Sequence, residues 1–275
     1  MTAVLGLSAA ALWATFDLFA VRLARTIGPF ETTFWVLMAG AVVLLPLKIA
    51  VDWGEPLFAD ASAVGFAALA GVLDAVGFMA FSRGLATGNL SIVAPIAGLS
   101  GALAAIIAIA LGESLETAVA AGVAIAVIGG ILTATDRGLR SAKGAGWALA
   151  GAACFGGLFF MYGETDGITE LETVLVTRLV GVAVLLPMML ARRPRLSRRT
   201  VKLAGFGGLL DTVGFVLFAV AAQRGPTSVA SVTGAQVATI GALLGILVLR
   251  ERPAWWQGIG IGVTAVGVTL LALGG

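Results

Sequence analysis

Charge-sparse apolar runs, separated by short polar breaks, follow one another along the whole chain. Each is close to the length, about 20 residues, that an α-helix needs to cross the hydrocarbon of a bilayer. The runs predict ten membrane-spanning helices, over residues 3–21, 31–50, 62–82, 90–111, 117–135, 144–162, 171–190, 202–222, 227–249 and 254–274. The stretches 90–112 and 225–249 contain no charged residue, whereas the seventh run carries Arg178. Ten crossings use about 200 residues and leave about 75 for every loop and both ends, so no sizeable soluble domain fits. The expected fold class is an all-α integral membrane protein.

Composition agrees, with 59% hydrophobic and 12% charged residues, against about half and about a quarter in an ordinary soluble domain. A net charge of +2 is too small to imply a nucleic-acid surface. Its distribution says more. Fourteen of the 17 basic residues fall in odd-numbered loops, among them Arg22, Arg25, Arg137, Arg140, Lys143, Arg250, Arg252 and the cluster from Arg192 to Lys202. The even loops hold only Lys48 and Arg224. The positive-inside rule then puts the Arg-rich loops in the cytoplasm and both termini outside, in a multi-pass protein of a bacterial-type inner membrane. The first run lacks a basic n-region and carries Asp17, which argues for a span rather than a cleaved signal peptide.

The chain also repeats itself. Gly71-Val-Leu-Asp74-Ala-Val-Gly77-Phe78 returns as Gly208-Leu-Leu-Asp211-Thr-Val-Gly214-Phe215, an offset of 137 that continues through Gly88/Gly225 and Ser91/Ser228. Upstream, the runs ending at Pro46 and Pro187, and the pairs Glu31-Thr32 and Glu172-Thr173, match at an offset of 141. Two units, 1–138 and 139–275, of five helices each are expected. Five is odd, so the second unit enters the membrane from the opposite side. Inverted-topology repeats characterise secondary transporters, with the substrate site near the midplane at the repeat interface.

Several residues stand out against this frame. Asp74 and Asp211 lie near the middle of helices three and eight, where a carboxylate costs about 2.5–3.5 kcal/mol on insertion scales. They line a path and bind a cationic group or a proton, or they play a symmetric structural role. Asp17 has no counterpart, since an offset of 141 lands on Leu158; its role is one-sided, or it sits at the boundary beside Arg22. Arg178, about 10 Å deep at 1.5 Å per residue, is expected to snorkel outward towards Glu170 and Glu172, the alternative being a pair with Asp211. Trp13 and Phe16, Phe155, Phe159 and Tyr162, and Phe78 and Phe215 form aromatic faces on helices one, six, three and eight. They would wall a pocket for an apolar or aromatic side chain, or a cation. Pro95 in helix four, whose counterpart is Val232, frees backbone groups, and Gln236 is the bulkiest uncharged polar group at mid-span in helix nine. Gly122, Ala126 and Gly130 in helix five and Gly258 and Gly262 in helix ten are read as close-packing positions.

With no His in the chain, imidazole metal sites and Ser-His or Cys-His nucleophile pairs are excluded. The single Cys154 can form no intramolecular disulfide, and no G-x-x-x-x-G-K-[ST] nucleotide loop occurs. No cofactor or metal is implied, and the partners expected are a small-molecule substrate and the lipid bilayer, with no oligomer required. The run from Phe81 to Pro95, followed by Leu111-Gly-Glu113-Ser-Leu115 and the Gly122–Gly130 helix, resembles the EamA-type unit of the drug/metabolite transporter superfamily, and the second half keeps Leu249-Arg-Glu251-Arg and a glycine-rich last helix. That resemblance implies a ten-helix exporter, and the aromatic residues make it most similar to the YddG-type amino-acid exporters. The leading expectation is a secondary transporter that exports aromatic or neutral amino acids, or related small metabolites, by alternating access. The alternatives are a proton-coupled multidrug antiporter, a lipid or nucleotide-sugar carrier and, from another class, a membrane-embedded enzyme.

Overall fold

The computed structural model describes residues 1–51, 58–88, 93, 96–134, 144–192, 198–237, 239–240 and 255–274. Among them are ten helices and no strand: α1 (Thr2–Thr26), α2 (Pro29–Val51), α3 (Ala61–Thr87), α4 (Ser100–Ala110), α5 (Thr117–Ala134), α6 (Ala145–Gly163), α7 (Glu170–Arg192), α8 (Arg198–Gln223), α9 (Thr227–Gly234) and α10 (Trp255–Gly274). Six of these, α1, α2, α3, α6, α7 and most of α8, are long and apolar enough to cross a membrane. The outward faces of α2 and α7 suit lipid: Val42, Leu45 and Leu47 on one, and Val184, Leu186 and Leu190 on the other, are exposed. In water such an apolar surface would be a liability; against acyl chains it costs nothing.

Two of the expected spans differ in the structure. The fourth was expected over 90–111, yet α4 begins only at Ser100, after a turn at Gly98–Leu99; the ninth was expected over 227–249, yet α9 ends at Gly234 in a turn at Ala235–Gln236. Residues 241–254 lie outside the described residues. Lys48, sorted by sequence into a loop, lies within α2 and is buried. Its burial is possible because it meets Glu172 at 3.0 Å.

Small residues set the packing. α5 and α10 lie along each other because a side chain at Gly129 would run into Thr264, and one at Gly267 into Ala126. Glycines Gly258 and Gly262, expected at this contact, have open space around them. The face that packs runs through Gly260, Thr264, Gly267 and Leu271, one helical stripe, and the two glycines lie off it. α1 packs on α8 and α3 on α6, and the repeated glycines do the same job in both places. A Cβ at Gly214 would stand 2.7 Å from Trp13 Nε1, and one at Gly77 would stand 3.3 Å from the Phe155 ring.

α4 ends in a Schellman motif: Gly112 takes φ +110°, its N–H bonds Ile109 O at 3.1 Å, and Glu113 N–H bonds Ala108 O at 3.0 Å. This turn sends Glu113 to the start of α9. There it accepts the Ser228 hydroxyl proton and, at 3.2 Å, the Ser228 N–H. The preceding Pro226 has no side-chain oxygen with which to cap that helix, so a residue between α4 and α5 satisfies it instead.

Candidate functional site

The breaks in the fourth and ninth helices have the same hydrogen bonding. Leu99 N–H turns back to Ile96 O at 3.1 Å, and Gln236 N–H to Thr233 O at 3.2 Å, three residues away rather than four. The two turns are 137 residues apart, the spacing of the Asp74/Asp211 motif. No proline stands at the counterpart of Pro95 in the ninth helix; Pro95 itself lies outside the described residues. The break there is supported by Gln236, whose Nε2 donates to Val232 O at 3.1 Å, the carbonyl that its own backbone N–H leaves free. Its Oε1 accepts from Thr239 at 2.9 Å. Gln236, expected to face the substrate, is therefore committed to the backbone of its own helix and is absent from the cavity wall.

A cavity of about 80 Å³ lies where these breaks meet α1, α3, α6 and α8. Of the residues singled out by sequence, Trp13, Phe16, Asp17, Asp74, Phe78, Phe155, Phe159, Asp211 and Phe215 line it. Phe81, Ser100 and the small residues Ala97, Gly98, Gly234 and Ala235 join them. The rings form two groups. Trp13 stacks on Phe159 at 5.6 Å and meets the edge of Phe215 at 4.9 Å. Phe16 stacks on Phe78 at 5.7 Å, and Phe81 links Phe78 to Phe155. Tyr162 sits behind the first group, wholly buried against Phe215 and Phe218 and outside the cavity wall. Phe218 went unnoticed in the sequence although its counterpart at an offset of 137, Phe81, is also aromatic; neither was singled out as part of an aromatic face.

The electrostatics overturn the snorkelling expectation for Arg178, which is 0% exposed. One guanidinium nitrogen meets Asp74 Oδ2 at 2.5 Å, the other meets Asp211 Oδ2 at 2.7 Å, and the guanidinium carbon lies 4.4 Å over the Phe215 ring. Two carboxylates, one from each half, hold one arginine. Gly40 makes room, since a Cβ there would meet the Arg178 Cγ and Nε at 3.2 Å. Among the described residues the Arg178 Nε has no hydrogen-bond partner. The counterpart of Arg178 at an offset of 141 is Leu37, buried and apolar. The triad thus takes a carboxylate from each half but its cation from the second half alone.

Asp17 is 7% exposed and lines the cavity, and among the described residues it makes no hydrogen bond or ion pair. The boundary pairing with Arg22 does not form. Trp13 Nε1, by contrast, is spent on Asp211 O at 3.2 Å.

A second opening lies beyond Tyr162, between the end of α2, the start of α7 and the end of α8, lined by Lys48, Thr169, Glu170, Glu172, Gln223 and Arg224 among others. It is polar, and its cations are paired: Lys48 with Glu172, and Arg224 with Glu170 at 2.6 Å. At the other end of the antiparallel α2–α7 pair, Arg192 meets Glu31 at 3.5 Å.

A bundle of apolar helices enclosing a cavity where two of them break has the architecture of a membrane transporter. The sequence profile of the EamA-like transporter family matches residues 1–135 and again residues 142–273, and the chain belongs to that family. It is a multi-pass membrane transporter of the drug/metabolite superfamily. Among solved structures, one described only as "Crystal structure of protein" is similar over 99% of this chain and 98% of its own, with a TM-score of 0.79 and 18% identity, a likeness of fold. No match is found among the curated proteins.

Proposed function

We propose that the protein is a secondary exporter of amino acids with aromatic or neutral side chains, or of related small metabolites, working by alternating access between two inverted five-helix units, 1–138 and 139–275. The observation that carries this reading is the cavity. It is walled by aromatic rings with the carboxylates of Asp17, Asp74 and Asp211 among them, and it lies at the broken helices where transporters of inverted-repeat design bind substrate. The equivalent breaks at Gly98–Leu99 and Ala235–Gln236, and the exchange of α1–α8 for α3–α6 contacts, support the inverted pairing.

In the orientation set by the loop charges, with both termini outside a bacterial-type inner membrane, the ring group around Phe159 and Phe215 faces outward and that around Phe78 and Phe81 faces inward. The α2–α7 ion pairs then mark the two ends. Lys48–Glu172, at 3.0 Å and nearly inaccessible, closes the outer end, and Arg192–Glu31, longer and half-exposed, sits at the inner one. Such unequal closure at the two ends of the α2–α7 pair supports alternation between two states. A likeness to YddG-type amino-acid exporters rests on the aromatic wall alone.

A second reading, a proton-coupled antiporter of lipophilic cations, is favoured by one observation: the unpaired Asp17 in an aromatic cavity. The experiment is counterflow of labelled aromatic and neutral amino acids in liposomes containing the purified protein. Exchange without a pH gradient is the expected result; strict dependence on the gradient favours the second reading, and no transport of any amino acid counts against the first.

A further inference from the structure

We propose that the first turn of α4 binds the carboxylate of the substrate, through the Ser100 hydroxyl and the backbone N–H groups that begin the helix, and so selects α-amino acids over amines. The proposal deepens the amino-acid reading above and rests on it.

α4 starts inside the bundle, after the turn at Gly98–Leu99, and Ala97, Gly98 and Ser100 stand on the cavity wall. The first N–H groups of a helix have no partner within it, and its positive end attracts anions. A side-chain oxygen commonly answers them. Here the N-cap is Leu99, which has none to offer, and the first turn holds no acidic residue. Gly101 N–H reaches Gly98 O only at 3.4 Å, and the N–H groups of Ser100 and Ala102 meet no acceptor among the described residues. The Ser100 side chain adds a further donor. It is 3% exposed, stands on the cavity wall, and its hydroxyl has no hydrogen-bond partner among the described residues. Gly101 sets this placement: a side chain there would run into Ser231 and Ala235, so α4 lies against α9 through the glycine.

α9 shows what such a helix start binds. It follows Pro226, which likewise has no side-chain oxygen, and Ser228 gives both its hydroxyl and its N–H to the carboxylate of Glu113. α4 presents the same two donors on Ser100, beside the cavity and with no carboxylate on them.

The other donors near the wall are taken. Arg178 has both terminal nitrogens on Asp74 and Asp211, and the Trp13 indole N–H is bonded to Asp211 O at 3.2 Å. The wall carboxylates Asp17, Asp74 and Asp211 belong to α1, α3 and α8, whereas α4 packs on α6 and α9. One guanidinium leaves these three acids with an excess of negative charge, which the ammonium of an amino acid offsets. A bare acid would face that excess uncompensated. An amine would leave the α4 donors unpaired.

The test uses the purified full-length protein and three probes with one ring: L-phenylalanine, 2-phenylethylamine, which lacks the carboxylate, and 3-phenylpropionate, which lacks the amine. Binding is measured directly at neutral pH. L-phenylalanine should bind, and each of the others at least tenfold more weakly. Ser100→Ala should weaken L-phenylalanine at least fivefold and change 2-phenylethylamine by less than twofold. Ser100→Asp places a carboxylate of the protein's own at this turn, as Glu113 does at α9; it should abolish L-phenylalanine binding and strengthen that of the amine. Should Ser100→Asp fail to fold, Ser100→Ala and the ranking of the probes decide. L-phenylalanine binding that is lost in Trp13→Ala, yet unchanged in the Ser100 variants or matched by the amine, would overturn the carboxylate site and leave the cavity as the substrate site. No binding of L-phenylalanine, or binding indifferent to Trp13→Ala, would overturn both.

Discussion

Arg178→Leu is expected to lose most of its folded protein. The substitution leaves the carboxylates of Asp74 and Asp211 buried without their shared cation. Removing one member of a buried ion pair costs about 3–5 kcal/mol, a large part of the roughly 5–15 kcal/mol by which a folded protein is stable. For a chain of this size that lowers the melting temperature by the order of 10 °C. Lysine is a poor substitute, because a compact ammonium cannot fork between two carboxylates as a planar guanidinium does; Arg178→Lys should fall between the two. The cause is checked by compensation. Adding Asp74→Asn and Asp211→Asn to Arg178→Leu should restore much of the thermal stability in detergent, and no recovery would mean that the arginine acts through packing on Phe215 instead.

Trp13→Ala should reduce transport more than tenfold, measured per amount of folded protein in liposomes. Trp13 stacks on Phe159, edges against Phe215, lies 5.9 Å from Phe218 and donates to Asp211 O. Emptying such a position costs about 3–5 kcal/mol of packing and removes the largest aromatic face of the cavity. The comparison is Phe206→Ala. Phe206 is 51% exposed on α8 and meets the edge of Phe19 at 5.5 Å, so its removal should change transport by less than twofold, as surface changes of about 0.5 kcal/mol do. Equal losses in the two variants would place the substrate path elsewhere.

Much of this arrangement is legible in the sequence because the relevant signals are local or repeated. Apolar runs of spanning length mark the helices, and the Asp74/Asp211 repeat predicts which positions come together from the two halves. The aromatic residues that line the cavity could be chosen because they sit on pseudo-equivalent helices. Arg178 could not be read in this way. Its two partners are 104 residues before it and 33 after it, and its own counterpart is a leucine, so no repeat signal points to the triad. Gln236 misled for a different reason. A polar side chain at mid-span must satisfy either a ligand or a backbone group, and only the break in α9 shows that Val232 O claims it. Sequence also reads the fourth and ninth segments as continuous, because hydrophobicity is blind to a turn built of Gly98, Leu99, Ala235 and Gln236.

Alternating access to the cavity between these breaks is tested most directly by a single cysteine at Ser100, in a Cys154→Ala background. Ser100 lines the cavity and begins α4, and the change from hydroxyl to thiol is small. Right-side-out and inside-out vesicles are treated with a membrane-impermeant maleimide, with and without transported solute. The account predicts labelling from both sides, slowed on each by bound solute. Labelling from one side alone, under every condition and indifferent to solute, would contradict it.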